Sequence, residues 1–206
     1  MSRPVAQDTR DKILDRAEAC FIGQGYAATS MRQIAEAANT SNSLIVHHFG
    51  SKQALWEAVK ERRMQGFIEQ QQSLLQTSKL DLSLFLRAIR EYFVLLRDDP
   101  QLVQLLARAE LEQDLGCSRF QQELVTAFVS QIKAGQQQGI FRADIKPVYL
   151  LAMILCAITQ WMEARHQFLT WDELLAEDHP DEQFLETFIE LLLNGVSSTS
   201  QTGASS

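Results

Sequence analysis

Little in this sequence breaks a helix. Of its 206 residues only four are proline and nine are glycine, and three of the prolines fall between positions 100 and 180. Long stretches without such breakers favour helices. Cysteine is also scarce: three residues, at 20, 117 and 156, an odd number at wide spacing with no CxxC. That excludes a disulfide framework and a CxxC zinc or redox motif, and reads as reduced intracellular thiols. The stretch MSRPVAQDTRDK is polar and charged, unlike a secretory signal. The longest uninterrupted apolar run, VYLLAMILCAI at 148–158, has eleven residues. A bilayer needs about 20, so the run predicts a buried helix and no membrane partner. GxSxG, a phosphate loop, paired Cys/His motifs and metal-ligand spacing are missing as well. No enzyme is expected, and no catalytic residue, metal or cofactor.

What is present is an ordinary globular composition, 46% apolar and 22% charged, enough to bury a core. The net charge of −7 argues at first against nucleic acid, but it is unevenly spread. Residues 1–66 carry nine Lys/Arg against seven Asp/Glu, a charge of +2, and the remainder carries −9. A phosphate backbone feels local charge, because fields are screened beyond roughly 8–10 Å at physiological salt.

The apolar spacing predicts an all-α chain. A first helix is expected over about 9–24, with Ile13, Leu14, Ala17 and Phe21 as its stripe and Gly25 at its end. Ser30-Met31-Arg32-Gln33 fits a capping box opening a short helix to about residue 38, with Ile34, Ala35 and Ala38 inside. Asn39 suits a left-handed turn. A second short helix follows over about 41–48; Gly50 stops it and Ser51 caps a long helix to about 76. Longer apolar helices are expected over about 81–97, 101–113, 119–138, 147–167 and 182–196, with Asp81 as a cap, Pro100 and Pro147 at helix starts and Gly139 at an end. Residues 1–8 are an expected arm, and the polar stretch 197–206 an expected disordered tail.

The two short helices have helix-turn-helix dimensions, an arrangement that places its second helix in the DNA major groove. Ile45 and Phe49 repeat at i, i+4 and are expected to pack inward against Ile34 and Ala35. Ser41, Asn42, Ser43, Leu44, Val46, His47 and His48 are left toward the groove or its walls. Asn42 suits a bidentate contact with adenine, Leu44 or Val46 a thymine methyl, and Arg32 guanine O6 and N7. Ser30, Ser41 and Lys52 suit phosphate. The bland alternatives are a solvated Arg32, Asn42 or Lys52, and histidines that only fill surface. A metal at His47 and His48 is disfavoured, because adjacent helical residues diverge by about 100°.

From Thr9 to about Phe67 the chain resembles the DNA-binding domain of the TetR family of bacterial repressors. The residues that carry the likeness are TRDKILDRAEACF, GYAATSMRQIAEAA and NTSNSLIVHHFGSKQALWEAV. Gly25-Tyr26, Arg32, Ile34-Ala35, Ser41, His47, Phe49 and Ser51-Lys52 match; Asn39, Ser43 and Val46 depart, the last standing where a tyrosine is usual. The resemblance implies a DNA-binding domain over 9–67 and a larger ligand-binding and dimerisation domain over 68–196. It implies a cytoplasmic homodimer on a double-stranded, palindromic operator, joined through helices near 147–167 and 182–196. The apolar stripe Phe184, Leu185, Phe188, Ile189 and Leu192 is also wider than a monomer needs.

The resemblance further implies a small-molecule pocket in the second domain, with Phe93, Leu106, Arg108, Glu110, Phe128, Cys156, Gln160, Trp161 and Met162 as candidates. A ligand there is expected to be apolar or aromatic, because the segment carries −9 and few cations to pair with phosphate. Ligand binding would shift the long fourth helix and the spacing of two DNA-binding heads, releasing the operator by population shift. Two alternatives stand: activation instead of repression, and a DNA-bound scaffold controlled by a protein partner.

Overall fold

The computed structural model describes residues 5–77, 81–111, 119–168, 170 and 179–196. Among them are nine helices and no strand: α1 (Val5–Ala28), α2 (Met31–Ala37), α3 (Asn42–Phe49), α4 (Lys52–Thr77), α5 (Leu82–Asp98), α6 (Pro100–Leu111), α7 (Arg119–Gln137), α8 (Pro147–Phe168) and α9 (Pro180–Val196). The arm expected over 1–8 is helical from Val5. The expected tail, 197–206, lies outside the described residues.

Local chemistry sets the boundaries. At Gly25 the backbone reaches φ 85°, ψ 166°, a region open essentially to glycine. It breaks the regular helix, as the sequence suggested, and a second short helical segment follows to Ala28, so two helical pieces meet at a kink within α1. Thr29, buried beneath the kink, donates its hydroxyl to the Gly25 carbonyl at 2.7 Å. The Ser30 hydroxyl accepts from the Gln33 N–H at 3.2 Å, and the Gln33 side chain accepts from the Ser30 N–H at 2.7 Å, closing the capping box. Asn39 takes the left-handed φ of 50° that turns α2 into α3. Gly50, at φ 80°, stops α3, with its N–H on the Val46 carbonyl at 2.8 Å. The hydroxyls of Ser41 and Ser51 and the carboxylate of Asp81 cap α3, α4 and α5.

The chain divides into two compact units. The first holds residues up to Gly66 together with Pro100–Phe120; the second holds Phe67–Asp99 and the chain from Gln121 onward. Thus α6, placed by sequence in the second domain, belongs with the head, and its Leu105 lies fully buried in the head's core. That core gathers Ile13, Leu14, Ala17 and Phe21 of α1, Ile34 and Ala35 of α2, Ile45 of α3, and Leu55, Trp56 and Val59 of α4. Phe21 meets Trp56 edge-on at 4.9 Å between ring centroids. Glu18 is buried beside this core and forms ion pairs with both Arg62 and Arg63 of α4.

In the second unit, α5 packs on α8 and α9. Phe85, Ile89, Phe93 and Leu96 of α5, Leu150, Ile154, Ile158 and Trp161 of α8, and Leu185 and Ile189 of α9 are buried. The indole of Trp161 stacks on Phe184 at 4.3 Å and donates to Asp181 at 2.9 Å. The eleven-residue apolar run belongs to a longer helix: α8 has 22 residues and a window of mean hydropathy 1.4, enough by length and composition to cross a membrane. A core helix passes the same test, and one face of α8 is core here.

Candidate nucleic-acid interface

The eight residues of α3 divide by angle. At about 100° per residue, Asn42, Ser43, Val46 and His47 share one face, and all four are exposed. Ile45, opposite, is fully buried against Ile34 and Ala35. Leu44 and His48 are half-buried on one flank, and Phe49 is half-buried on the other. The ten candidates named from sequence are therefore not equivalent. Four form an open face, Ser41 stands at its N-terminal end, and Leu44 and His48 are turned partly into the head. The two imidazoles lie edge to face at 5.6 Å.

The candidates outside α3 are held in different ways. Arg32 is exposed at the start of α2 and pairs with Glu36 at 3.3 Å, a surface pair that contributes little and yields readily to a stronger partner. Ser30 is committed locally: its hydroxyl caps α2 and also donates to the Gln33 side-chain oxygen Oε1 at 2.8 Å. Ser41 caps α3 by accepting from the Leu44 N–H at 3.1 Å, so its O–H hydrogen remains available to an acceptor. The Lys52 ammonium sits 4.2 Å over the Tyr26 ring and donates to the Ala27 carbonyl at 3.3 Å. It ties the start of α4 to the end of α1.

Two features escaped the sequence reading. Arg10 of α1 lies 5.1 Å over the Phe49 ring, which brings a cation to the C-terminal end of α3. The TRDK stretch holds that arginine, but nothing in spacing shows which turn it meets. The second is internal use of charge. Arg62 and Arg63 are bound to Glu18, and Lys60 is buried with its ammonium 5.3 Å over Trp56. Of the nine cations counted over residues 1–66, these three and Lys52 are thus engaged within the fold.

The nine pocket candidates are divided between the two units. Leu106, Arg108 and Glu110 fall in the first unit, and Glu110 is exposed. In the second unit Phe93, Trp161 and Met162 are buried and Phe128 is half-buried, whereas Cys156 and Gln160 are exposed on the outer face of α8. Helical geometry explains the split: Cys156 and Gln160 are one turn apart, on the side away from Ile154 and Ile158. Cys156 instead borders an open, largely apolar groove with Tyr149, Ala152 and Met153.

Comparison with known proteins fixes the family. Residues 13–59 match the domain described as bacterial regulatory proteins, tetR family, and residues 87–188 match a tetracyclin repressor-like C-terminal domain. The chain is 30% identical over 205 residues to the HTH-type transcriptional repressor NicS of Pseudomonas putida, covering 93% of each. It belongs to the TetR family. As a TetR-family protein it is a DNA-binding transcriptional regulator with a helix-turn-helix head. A second relative, the HTH-type transcriptional repressor KstR2 of Rhodococcus jostii, is 28% identical over 180 residues, with 80% of this chain and 85% of that protein covered. The fold also matches the crystal structure of AibR in complex with isovaleryl coenzyme A and operator DNA. The TM-score is 0.64 at 19% identity, over 91% of this chain and 99% of that one.

Proposed function

We propose that this TetR-family regulator is a cytoplasmic homodimeric repressor that reads a palindromic operator through α3 and is released by a small apolar or aromatic ligand. The observation that carries the DNA-binding assignment is the open face of α3: four adjacent, exposed side chains on a helix anchored by Ile45 and Phe49. Asn42 offers the bidentate amide that adenine accepts, and Arg32 the fork that suits guanine or phosphate. Ser43 and His47 add polar contacts on the same face. Ser41 and Lys52 lie at helix starts and contact the backbone, Ser30 acts by holding α2, and Leu44 and His48 shape the groove walls.

Dimerisation is supported by apolar surface on the last two helices. Val148, Tyr149 and Met153 of α8 are 49%, 60% and 57% exposed, and Leu191 of α9 is 68% exposed. A second copy would cover them and would supply the second half-site reader that one short helix lacks. The ligand reading is supported by the apolar, aromatic interior around Phe93, Trp161 and Phe184. The arginines described in the second unit, among them Arg87, Arg90, Arg97 and Arg165, are already paired with carboxylates. That favours a neutral ligand body over a strongly anionic one. Repression is the sign carried by NicS and KstR2.

The test is selection of a duplex from a random pool by the wild-type protein, followed by titration of variants. A palindrome is expected. Arg32→Ala and Asn42→Ala should each weaken it by about 1–3 kcal/mol per lost contact, and the neutral Asn42→Ala should leave non-specific binding unchanged. Wild-type affinity in both variants would remove α3 and the start of α2 from recognition. Ligands are sought among compounds that raise the melting temperature, and a ligand of the proposed kind must also dissociate the complex with DNA.

A further inference from the structure

We propose that Val46 reads the C5-methyl group of a pyrimidine in the operator's major groove, close to the base read by Asn42. This rests on the assignment of α3 as the recognition helix. Val46 is 44% exposed, an apolar side chain on a face otherwise formed by Asn42, Ser43 and His47. Sequence leaves Leu44 and Val46 equal for such a contact, and the fold separates them. The two lie about 160° apart around the helix, and Leu44 is partly withdrawn beside the head while Val46 stands on the open face.

The chemistry of the groove then limits what Val46 can meet. Base edges there present donors, acceptors and one apolar group, the C5-methyl of thymine. Cytosine methylated at C5 presents the same group. A valine in a helix is confined largely to one χ1 rotamer, so its two methyls form a fixed surface that loses little freedom on contact. It has no donor or acceptor to satisfy, so it discriminates by burying a methyl group and not by hydrogen bonding. Asn42 and Val46 are i and i+4, about 6 Å apart along the axis, which is about two base-pair steps at 3.4 Å each. The inferred half-site thus holds an adenine and a methyl-bearing pyrimidine about two steps apart.

The experiment uses the duplex selected by the wild-type protein. Each thymine of the half-site is replaced in turn by deoxyuridine in both halves, which removes only the methyl. Binding is followed by fluorescence anisotropy for wild type and Val46→Ala. At one thymine position the wild type is expected to lose about fourfold per methyl, or about 16-fold with both half-sites changed. Val46→Ala should bind the thymine and uracil duplexes equally there. Because the side chain is exposed and alanine is the better helix former, the variant should melt like wild type.

Exchanging that T·A pair for 5-methylcytosine·G and for C·G distinguishes the sources of the methyl. Tighter binding of the methylated duplex shows that the methyl is read on either base; equal binding of the two confines the reading to thymine. Uracil costing wild type and Val46→Ala alike, or costing neither at every position, overturns the proposal. Asn42→Ala keeps the two levels apart. If it loses affinity while Val46→Ala retains the uracil penalty, only the methyl contact fails. If both variants bind like wild type, the recognition-helix assignment itself fails.

Discussion

A lysine in the first turn of a helix faces the positive end of the helix dipole and needs a compensating partner. Lys52 has two, the Tyr26 ring and the Ala27 carbonyl, both at the end of α1, where carbonyls lack partners within the helix. The lysine is therefore bound to the fold before it meets any DNA, and a phosphate contact would be added to that role. Lys52→Ala should weaken all duplexes by a similar factor and make the salt dependence shallower by about one unit, as read from titrations at several salt concentrations. It should also lower the stability of the head by about 0.5–1 kcal/mol, the size of an exposed cation–π contact. Lost stability with an unchanged salt slope would leave Lys52 a structural residue alone. Sequence spacing placed Lys52 correctly at the head of α4. It could not show the end of α1 beneath it, because the bond to Ala27 spans 25 residues and the approach follows the kink at Gly25.

At the scale of the element, what could be read in advance was what is decided within a few residues. The Ser30–Gln33 box, the turn at Asn39, the stop at Gly50 and the caps at Ser51 and Asp81 all follow from chemistry confined to one turn. The break at Gly25 was legible as a positive φ, but the short helical segment after it, where Thr29 bonds back to the Gly25 carbonyl, was not. Charges brought together from distant helices were not legible at all. Glu18 follows Ala17 on the buried side of α1, and its partners Arg62 and Arg63 stand 44 and 45 residues further along, on α4. Arg63 also reaches Gln101 of α6, so one carboxylate holds an arginine that three helices share. Glu18→Ala removes the common acceptor and leaves two guanidinium groups partly buried. The arginines are about one-quarter exposed, which tempers the cost of a fully buried pair to about 1–3 kcal/mol. Urea unfolding should show that loss, and a variant as stable as wild type would mean that water takes the place of the carboxylate.

For the whole molecule, the division into compact units falls between Gly66 and Phe67, where the family-like stretch ends, and α6 falls in the first unit. Apolar periodicity shows that Leu102 and Leu105 are buried but not which core receives them, and they lie with the head. The same limit applies to α8. Its pattern announces a buried helix, yet Tyr149 and Met153 are exposed, and only coordinates reveal that the helix has two apolar sides. In the proposed dimer a second copy would cover this surplus, which makes a sharp demand. Met153→Glu places a carboxylate where the other copy would sit. An exposed methionine can change to glutamate without cost to the core, so the chain should retain its helical circular dichroism. Sedimentation should nevertheless show a monomer, against the dimer proposed for the wild type. Each monomer would still carry a complete α3, but the two half-sites would have to be filled separately. Operator affinity should then fall on the order of 10²-fold or more, the usual worth of joining two weak contacts, while affinity for an isolated half-site stays near that of wild type. Retention of the dimer mass in Met153→Glu would move the interface away from α8.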